Sequence, residues 1–581
     1  MKSEMPEDGF TLCEKRQGIL EASGPMLVIG GPGSGKTTIA LLKARRFAAD
    51  GMCPEQRVLF LSFSNAAIRR LVEGADRILD GDELRTHIAI KTYHSFAWEI
   101  LRAHGYLLSS QRRLRIISAQ DADVRRAGLT NEEWELEQER LFVEEGMLAY
   151  DQFAPKAVEL LERCPRLREL YSAVHPLIVV DEFQDTDSAQ WKLVRLLSIS
   201  SCIIAMGDAG QQIYNWRPGV EEGRLDEFRL ELNATVFDFG SENNRSPGTG
   251  IAAYGQALLV PGTKLPLCNE MKIRTVARYQ FPLAVKLATK QALGLAKDAS
   301  PGTEPSIAVA GRSKAIVRLI SDALSDSQTA KGHKHGPIQH DVLIDQSQVL
   351  LSARVTSYLL EADCVGADDG LATVTELVAD MHRAGGKKTH LATAARLDKW
   401  ASAIREGKTP KTKMIKALAG LLNTLREFPW SGSPTADWLA IRKQLESLQV
   451  DELLKVAEHV RFLRVLRRGS LIEDELTSLW QKQGNYQGAM AAVEEAITRE
   501  QVIDTVRPPA RCTVMTMHQL KAREYDAVVL AEDQYHRFLA RNESSPYMDT
   551  RRLLQVCVTR ARHHVVIVTS RKDSTLQLLG G

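Results

Sequence analysis

The stretch Met26-Leu27-Val28-Ile29-Gly30-Gly31-Pro32-Gly33-Ser34-Gly35-Lys36-Thr37-Thr38 decides the fold. Four apolar residues lead directly into a glycine-rich loop, and a helical pattern follows from Ile39 to Phe47. The loop fits GxxxxGK[ST] in the strand–loop–helix setting that gives the pattern its meaning. Its glycines let backbone N–H groups close around phosphates at a helix N-terminus, Lys36 reaches the outer phosphates, and the Thr37 hydroxyl is a magnesium ligand. Gly30, Gly31, Pro32, Gly33, Ser34, Gly35, Lys36, Thr37 and Thr38 are therefore the expected nucleotide cradle.

A phosphate loop needs an acidic strand end to complete its metal site, and Leu177-Ile178-Val179-Val180-Asp181-Glu182 supplies one. Asp181 is expected to hold magnesium, and Glu182 to orient and deprotonate the attacking water. Further strand-like runs at Val58–Leu61, Cys202–Met206, Thr235–Phe239, Ile307–Ala310, Thr513–Thr516, Ala527–Leu530 and Val565–Thr569 alternate with helical stretches. That alternation predicts parallel α/β layers, and enough of them for two sheets.

The residues beyond these ends resemble a known family. Asp181-Glu182-Phe183-Gln184-Asp185-Thr186-Asp187 and Gly207-Asp208-Ala209-Gly210-Gln211-Gln212-Ile213-Tyr214-Asn215-Trp216-Arg217 are similar to motifs II and III of the UvrD/Rep/PcrA group of superfamily 1 helicases. Gln17 resembles the adenine-reading Q motif, Ser62-Phe63-Ser64-Asn65 motif Ia, and Thr92-Tyr93-His94 motif Ib. Thr516 to Tyr525 is similar to motif V, and Arg551 to Ala561 to motif VI. The resemblance implies two RecA-like P-loop motor domains, each interrupted by a mainly helical insert. It places the first motor domain at 1–97 and 173–232, insert 1B at 98–172, the second motor domain at 233–362 and 503–581, and insert 2B at 363–502.

It also implies roles. Gln211, Arg245 and Arg560 would reach the γ-phosphate beside Lys36 and Glu182, while Gln17 and Glu524 would contact the nucleotide. Phe63, Asn65, Thr92, His94, Tyr214, Trp216, Arg217 and His518 would meet single-stranded DNA, through base stacking and backbone contacts. ATP and Mg2+ are the expected cofactors. Single-stranded and tailed duplex DNA are the expected partners, with movement 3′ to 5′. An alternative of a different class is a DNA-responsive ATPase subunit of a bacterial anti-phage complex. Such a subunit, like the helicase-like one of Gabija-type systems, would regulate an OLD-family partner nuclease.

The sequence departs from the family at several points. Asn244 stands where a tyrosine usually stacks on adenine, and Thr38 where an arginine often lines that pocket, so a looser grip on the base is expected. Ala522 replaces the usual motif V glycine, and Ala66 the motif Ia lysine. The Gly-Ile-Gly duplex-binding signature is not recognisable.

Composition adds exclusions. The chain has 581 residues, 44% hydrophobic and 25% charged, an ordinary globular balance. Lys+Arg 75 against Asp+Glu 73 gives +2 overall, which says nothing for nucleic acid. Residues 383–416, however, hold ten basic side chains against Asp398 and Glu406, a local +8 that suggests contact with DNA or an acidic partner. Eight scattered cysteines without a Cys-x-x-Cys pair argue against structural zinc, iron–sulfur clusters and disulfides. With neither a signal-peptide pattern nor a long apolar run, a cytoplasmic protein with no membrane contact is expected. Only twelve residues follow Thr569, so no fused nuclease is expected.

Overall fold

The computed structural model describes residues 12–63, 65–78, 86–109, 113–214, 217, 219–240, 242–266, 268–330, 332–343, 347–385, 388–460, 471–502, 511–540, 542–571 and 574–579. The chain divides into two compact units. The first comprises 1–101, 154–343 and 507–581, the second 102–153 and 344–506.

The first unit holds two six-stranded sheets. One is built from β1 (Met26–Ile29), β2 (Val58–Ser62), β3 (Ile88–Thr92), β4 (Leu177–Val180), β5 (Cys202–Gly207) and β6 (Thr235–Asp238), in the order β3-β2-β4-β5-β1-β6. Every pairing in it is parallel, with Val28 opposite Met206 on one side and Phe237 on the other. Central strands of a parallel sheet are covered on both faces and read as continuous apolar runs. All four residues of β4 and all five of β2 are buried accordingly.

The second sheet comprises β7 (Met271–Val276), β8 (Ile307–Gly311), β9 (Asp341–Val342), β10 (Cys512–Thr516), β11 (Tyr525–Ala531) and β12 (Ala561–Ser570), in the order β9-β10-β8-β11-β12-β7, again all parallel. The seven strand-like runs of the sequence fall inside β2, β5, β6, β8, β10, β11 and β12, apart from Phe239, one residue past β6. The edge strands β3, β7 and β9 carried no such run. In β7, Met271-Lys272-Ile273-Arg274 alternates polar with apolar and is largely exposed, so its composition resembles a loop.

Helix Phe153–Arg163 and most of Pro165–Val174 lie within the expected insert 98–172, yet both belong almost wholly to the first unit. The second of them is tied there by Ser172, whose hydroxyl donates to Leu197 O at 3.2 Å, and by the following His175, whose Nδ1 lies 3.1 Å from Arg57 O.

The second unit is helical. Helices Ser347–Leu360, Ala367–Arg383, Lys388–Arg405, Lys413–Arg426, Pro434–Ser447 and Asp451–Val460 enclose one apolar core around Trp438, Leu359, Leu397 and Leu418. Val124, from the sequence-distant helix Ala119–Arg126, packs against it. The three arginines of the basic segment are paired inside this unit: Arg383 with Asp380 and Asp398, Arg396 with Glu452, and Arg405 with Glu376. Lys387 lies outside the described residues. The local +8 is thus partly neutralised by acids outside the segment, Asp380, Glu376 and Glu452, which a count along the segment cannot reveal.

Among the described residues no helix is long and apolar enough to cross a membrane, and no group of three His, Cys, Asp or Glu side chains could hold a metal ion.

Candidate nucleotide and nucleic-acid site

The phosphate loop, Asp181, Glu182 and Gln211 sit at the carboxyl ends of parallel strands, where open α/β sheets bind ligands. After β1 the loop turns through left-handed glycines, Gly33 at φ 79° and Gly35 at φ 88°, before the helix Lys36–Ala49 begins. Gly33 is required twice over. A Cβ there would lie 2.5 Å from Asn243 Oδ1 and 2.8 Å from Arg245 Cβ. The segment after β6 therefore closes tightly on the loop: Asn244 N donates to Gly33 O at 2.7 Å, and Gly31 N to Gly240 O at 3.1 Å.

The Lys36 ammonium donates to Gly30 O at 2.5 Å and Gly31 O at 3.1 Å. Burial lowers its pKa, while Glu182, Asp208 and Asp181 oppose that shift. A cation so placed is poised to exchange loop carbonyls for phosphate oxygens. A cavity of about 370 Å³ opens beside Gly31 and Pro32, lined also by Asn243, Thr249, Gln256 and Thr559.

At the end of β4, Asp181 is buried, and its Oδ1 accepts from Glu182 N at 3.1 Å. Burial and the adjacent Glu182 charge raise its pKa. Burial would also raise Glu182, but Lys521, Arg560, Lys36 and Arg70 together hold it below the usual carboxylate range. Glu182 is therefore ionised near neutrality. Its backbone is left-handed, φ 52°, a strained conformation for a residue with a Cβ and one that clusters at functional sites.

Gln211 follows β5 and is buried. Its Nε2 donates to Asp208 Oδ2 at 2.8 Å, and its Oε1 accepts from Arg560 of the second sheet. Arg245 donates to Thr559 O at 3.0 Å and pairs with Glu524 at 2.8 Å. Register explains why residues so distant in sequence meet. Tyr525 and Ala561 are opposed at the start of β11 and β12, so Glu524 and Arg560, which immediately precede them, lie side by side.

Glu524 gathers more than the resemblance implied. Arg70 approaches its Oε1 at 3.3 Å and Arg562 its Oε2 at 3.5 Å, in addition to Arg245. Burial would raise this carboxyl, but Arg245 and Arg70 hold it down to about 2. Lysines and arginines from both sheets thus converge on Asp181, Glu182 and Glu524, as a site for a polyphosphate requires.

The expected base side differs. Gln17 is exposed on the helix Glu14–Glu21, and Asn244 is exposed too. Arg16 reaches the loop instead: its Nη2 donates to Ser34 O at 3.0 Å, its guanidinium lies over the Phe239 ring at 4.8 Å, and it pairs with Glu242 at 2.5 Å. Thr37 and Thr38 open the helix after the loop, half-buried.

Phe63, Thr92 and Tyr214 lie at or beyond carboxyl strand ends of the first sheet, and His518 beyond one of the second. Phe63 and Tyr214 stack with centroids 5.4 Å apart and planes at 28°, and the Arg217 guanidinium covers both rings at 4.8 and 5.7 Å. Tyr214 Oη donates to His518 O at 3.5 Å, and burial, with Arg312 and Lys521 nearby, lowers His518 to about 4, so its ring is neutral. Thr92 exchanges hydrogen bonds with Ser95 at the start of the helix Tyr93–His104, and His94 is half-buried in that helix. Asn65 opens the helix Asn65–Ile78, but its side chain, like the whole of Trp216, lies outside the described residues.

Arg16, Arg70 and Lys521 also lie at the candidate site, and the sequence reading did not single them out. Arg16 is one position from the expected Gln17, and Lys521 lies within motif V. Arg70 had no signal, being one arginine of a surface-like helical pattern.

Comparison with known proteins agrees with this geometry. Residues 16–217 match the AAA domain family, and residues 511–568 the UvrD-like helicase C-terminal domain family. In these segments the chain is similar to the UvrD/PcrA-like superfamily 1 helicases. It is 25% identical over 291 residues to the ATP-dependent DNA helicase PcrA of Staphylococcus aureus (strain NCTC 8325 / PS 47), covering 42% of this chain and 39% of that protein. It is 27% identical over 248 residues to the PcrA of Leuconostoc citreum, covering 35% and 33%. The match therefore spans well under half the length of these relatives. The AAA domain match spans β1 to β5 together with residues 102–153 of the second unit, the UvrD-like match spans β10, β11 and most of β12, and neither reaches the helices between 344 and 506.

Proposed function

We propose that the protein is an ATP-driven translocase or helicase that moves 3′ to 5′ on single-stranded DNA. The observation that carries this reading is the contact of Gln211, from the first sheet, with Arg560, from the second. Two sheets that share one phosphate site can turn hydrolysis into relative movement.

In the proposed reaction the oxygen of a water molecule forms a bond to the γ-phosphorus as the bond to the β–γ bridging oxygen breaks. Glu182 takes the water's proton, and ADP and phosphate leave. Lys36, Arg245 and Arg560 balance the charge that builds on the transferring group. Thr37 and Asp181 offer a hydroxyl and a carboxylate, the hard oxygen donors that suit Mg2+, which when bound neutralises phosphate charge. The Phe63–Tyr214 stack beneath Arg217 suits bases that are stacked without regard to sequence.

Lys36→Ala should lower DNA-stimulated ATP hydrolysis by about a hundredfold or more. An unchanged rate in a steady-state assay with a single-stranded oligonucleotide would sink the mechanism. The exposed Gln17 and Asn244 favour loose selection of the base, so GTP should compete with ATP more effectively than a closed adenine pocket allows. The same openness favours a second reading, in which the ATPase senses nucleotide within a defence complex and regulates a partner nuclease. Nuclease activity that changes on adding this protein with ATP and DNA would support it.

A further inference from the structure

Residues 131–145 carry seven glutamates against Arg140, a local −6 that is opposite in sign to the +8 at 383–416. The helix Asn131–Arg140 and the π turn Leu141–Glu145 that continues it bury Trp134, Gln138, Leu141 and Phe142 on their inner side. Arg140 pairs with Glu137, Glu144 and Glu145. Glu132 and Glu135 are exposed, and Leu136, one turn on from Glu132, is 73% exposed. A lone exposed leucine is ordinary, but one framed by charges of a single sign has the make-up of a contact surface.

The basic segment offers the matching surface. With its arginines paired inside the unit, the charge it presents outward belongs to lysines. Lys399, Lys411, Lys413 and Lys416 are exposed, and none of them pairs with an acid among the described residues. Beside them opens a cavity of about 360 Å³ walled by Trp400, Met414 and Lys413, with the Arg396 guanidinium over the Trp400 ring at 5.3 Å. Asp451 and Glu452 border it too, and Glu452 is already paired with Arg396. An apolar hollow with a lysine rim accepts an apolar side chain that arrives among acids. A DNA backbone matches the lysines, but it has nothing to place in the hollow and is repelled by Asp451. Both surfaces belong to the second unit, and both are exposed in the folded chain, so they do not meet within one copy.

We propose that the acidic helix Asn131–Arg140 of one copy docks on the Lys399–Lys416 face of a second copy of this chain, with Leu136 entering the hollow at Trp400. The contact lies outside the phosphate site and the ring stack, so it stands or falls apart from the proposed function. One helix face makes a small interface of the transient kind, with a Kd of about 1–100 µM. Its charges are exposed, so salt weakens it.

Analytical ultracentrifugation of the full chain without DNA, across about 1–100 µM, should show self-association that weakens about tenfold or more as salt rises from about 50 to about 500 mM. Glu132→Lys/Glu135→Lys reverses the helix, and Lys411→Glu/Lys413→Glu reverses the face. Each of these variants alone should associate about tenfold or more weakly than native. Mixed together, they should associate again, through the unaltered face of the first and the unaltered helix of the second. A chain carrying all four substitutions should recover self-association, because its reversed helix meets a reversed face. A native chain that stays monomeric throughout overturns the inference, as do reversed variants that associate like native or a mixture that stays apart. If the native chain is monomeric and the face variant loses affinity for a duplex oligonucleotide, the lysines serve DNA and the proposal fails. Should a reversed variant not fold, Leu136→Ser decides: association within about twofold of native overturns the proposal, and a loss of about fivefold or more upholds it.

Discussion

Two residues show how local backbone demands determine which substitutions this site tolerates. Gly33 is left-handed and faces Asn243 and Arg245 across a gap too small for a methyl group. Gly33→Ala should therefore push the segment carrying Arg245 off the loop and weaken nucleotide binding by about tenfold or more, read by titration of a fluorescent ATP analogue. Unchanged affinity would show that the contact yields. Ala522 is the mirror case. The family's glycine is replaced, yet the backbone keeps φ 64°. Ala522→Gly should relieve strain worth about 1 kcal/mol, partly offset by added freedom in the unfolded chain, and so raise or at least maintain the melting temperature. A clear fall would contradict it. Glycines and carboxylates at strand ends were legible in the sequence because their spacing follows from phosphate chemistry. Arg70 and Arg16 were not, because an arginine on a helix has no signature until the fold shows what it faces.

Strands were mostly legible in proportion to their burial, the largely exposed edge strand β6 being an exception that still reads as a run. The central strands β2, β4, β5, β8 and β11 are apolar on both faces and appear as unbroken runs, whereas the edge strands β3 and β7 mix in lysine and arginine. No sequence pattern encodes the parallel register of β11 with β12, yet that register brings Glu524 to Arg560. In the helical unit, buried polar groups were equally hidden. His382 on the helix Ala367–Arg383 is 1% exposed, and its Nε2 lacks a partner. Burial first, then Lys455, His390 and His459, lowers it to about 4. The unfolded chain takes up this proton near pH 6.5, whereas the folded one resists until about 4. Its contribution to stability is thus intact above pH 6.5 and falls as pH drops through that window. His382→Phe, which keeps a ring in the core, should narrow the drop in melting temperature between pH 7 and pH 5. An identical drop in native and variant proteins would assign the acid sensitivity elsewhere.

At the scale of the whole molecule, sequence order and spatial order part company. The candidate phosphate site draws on residues as distant as Lys36 and Arg560, and the helical unit joins two segments separated by 190 residues, 154–343. The family motifs made the first of these legible. Nothing in the sequence announced the second, because helix Ala119–Arg126 is short and strongly polar. Arg354 secures that junction. It pairs with Asp121 at 2.8 Å and with Glu494 at 2.5 Å, linking the early segment to two later helices through one half-buried guanidinium. Burial would raise Asp121, but Arg354 holds it below the ordinary carboxylate range. Arg354→Ala removes the cation and leaves Asp121 and Glu494 as neighbouring like charges. Both carboxylates are partly exposed, so solvent screening limits the cost to about 1–2 kcal/mol. The loss should be local. Amide exchange should quicken in 119–126 and leave the helix Lys36–Ala49 unchanged, with Arg354→Lys restoring only part of the protection because one ammonium cannot span both acids as a guanidinium does. Native-like protection of 119–126 in Arg354→Ala would mean that the apolar contact of Val124 alone holds the early segment in place.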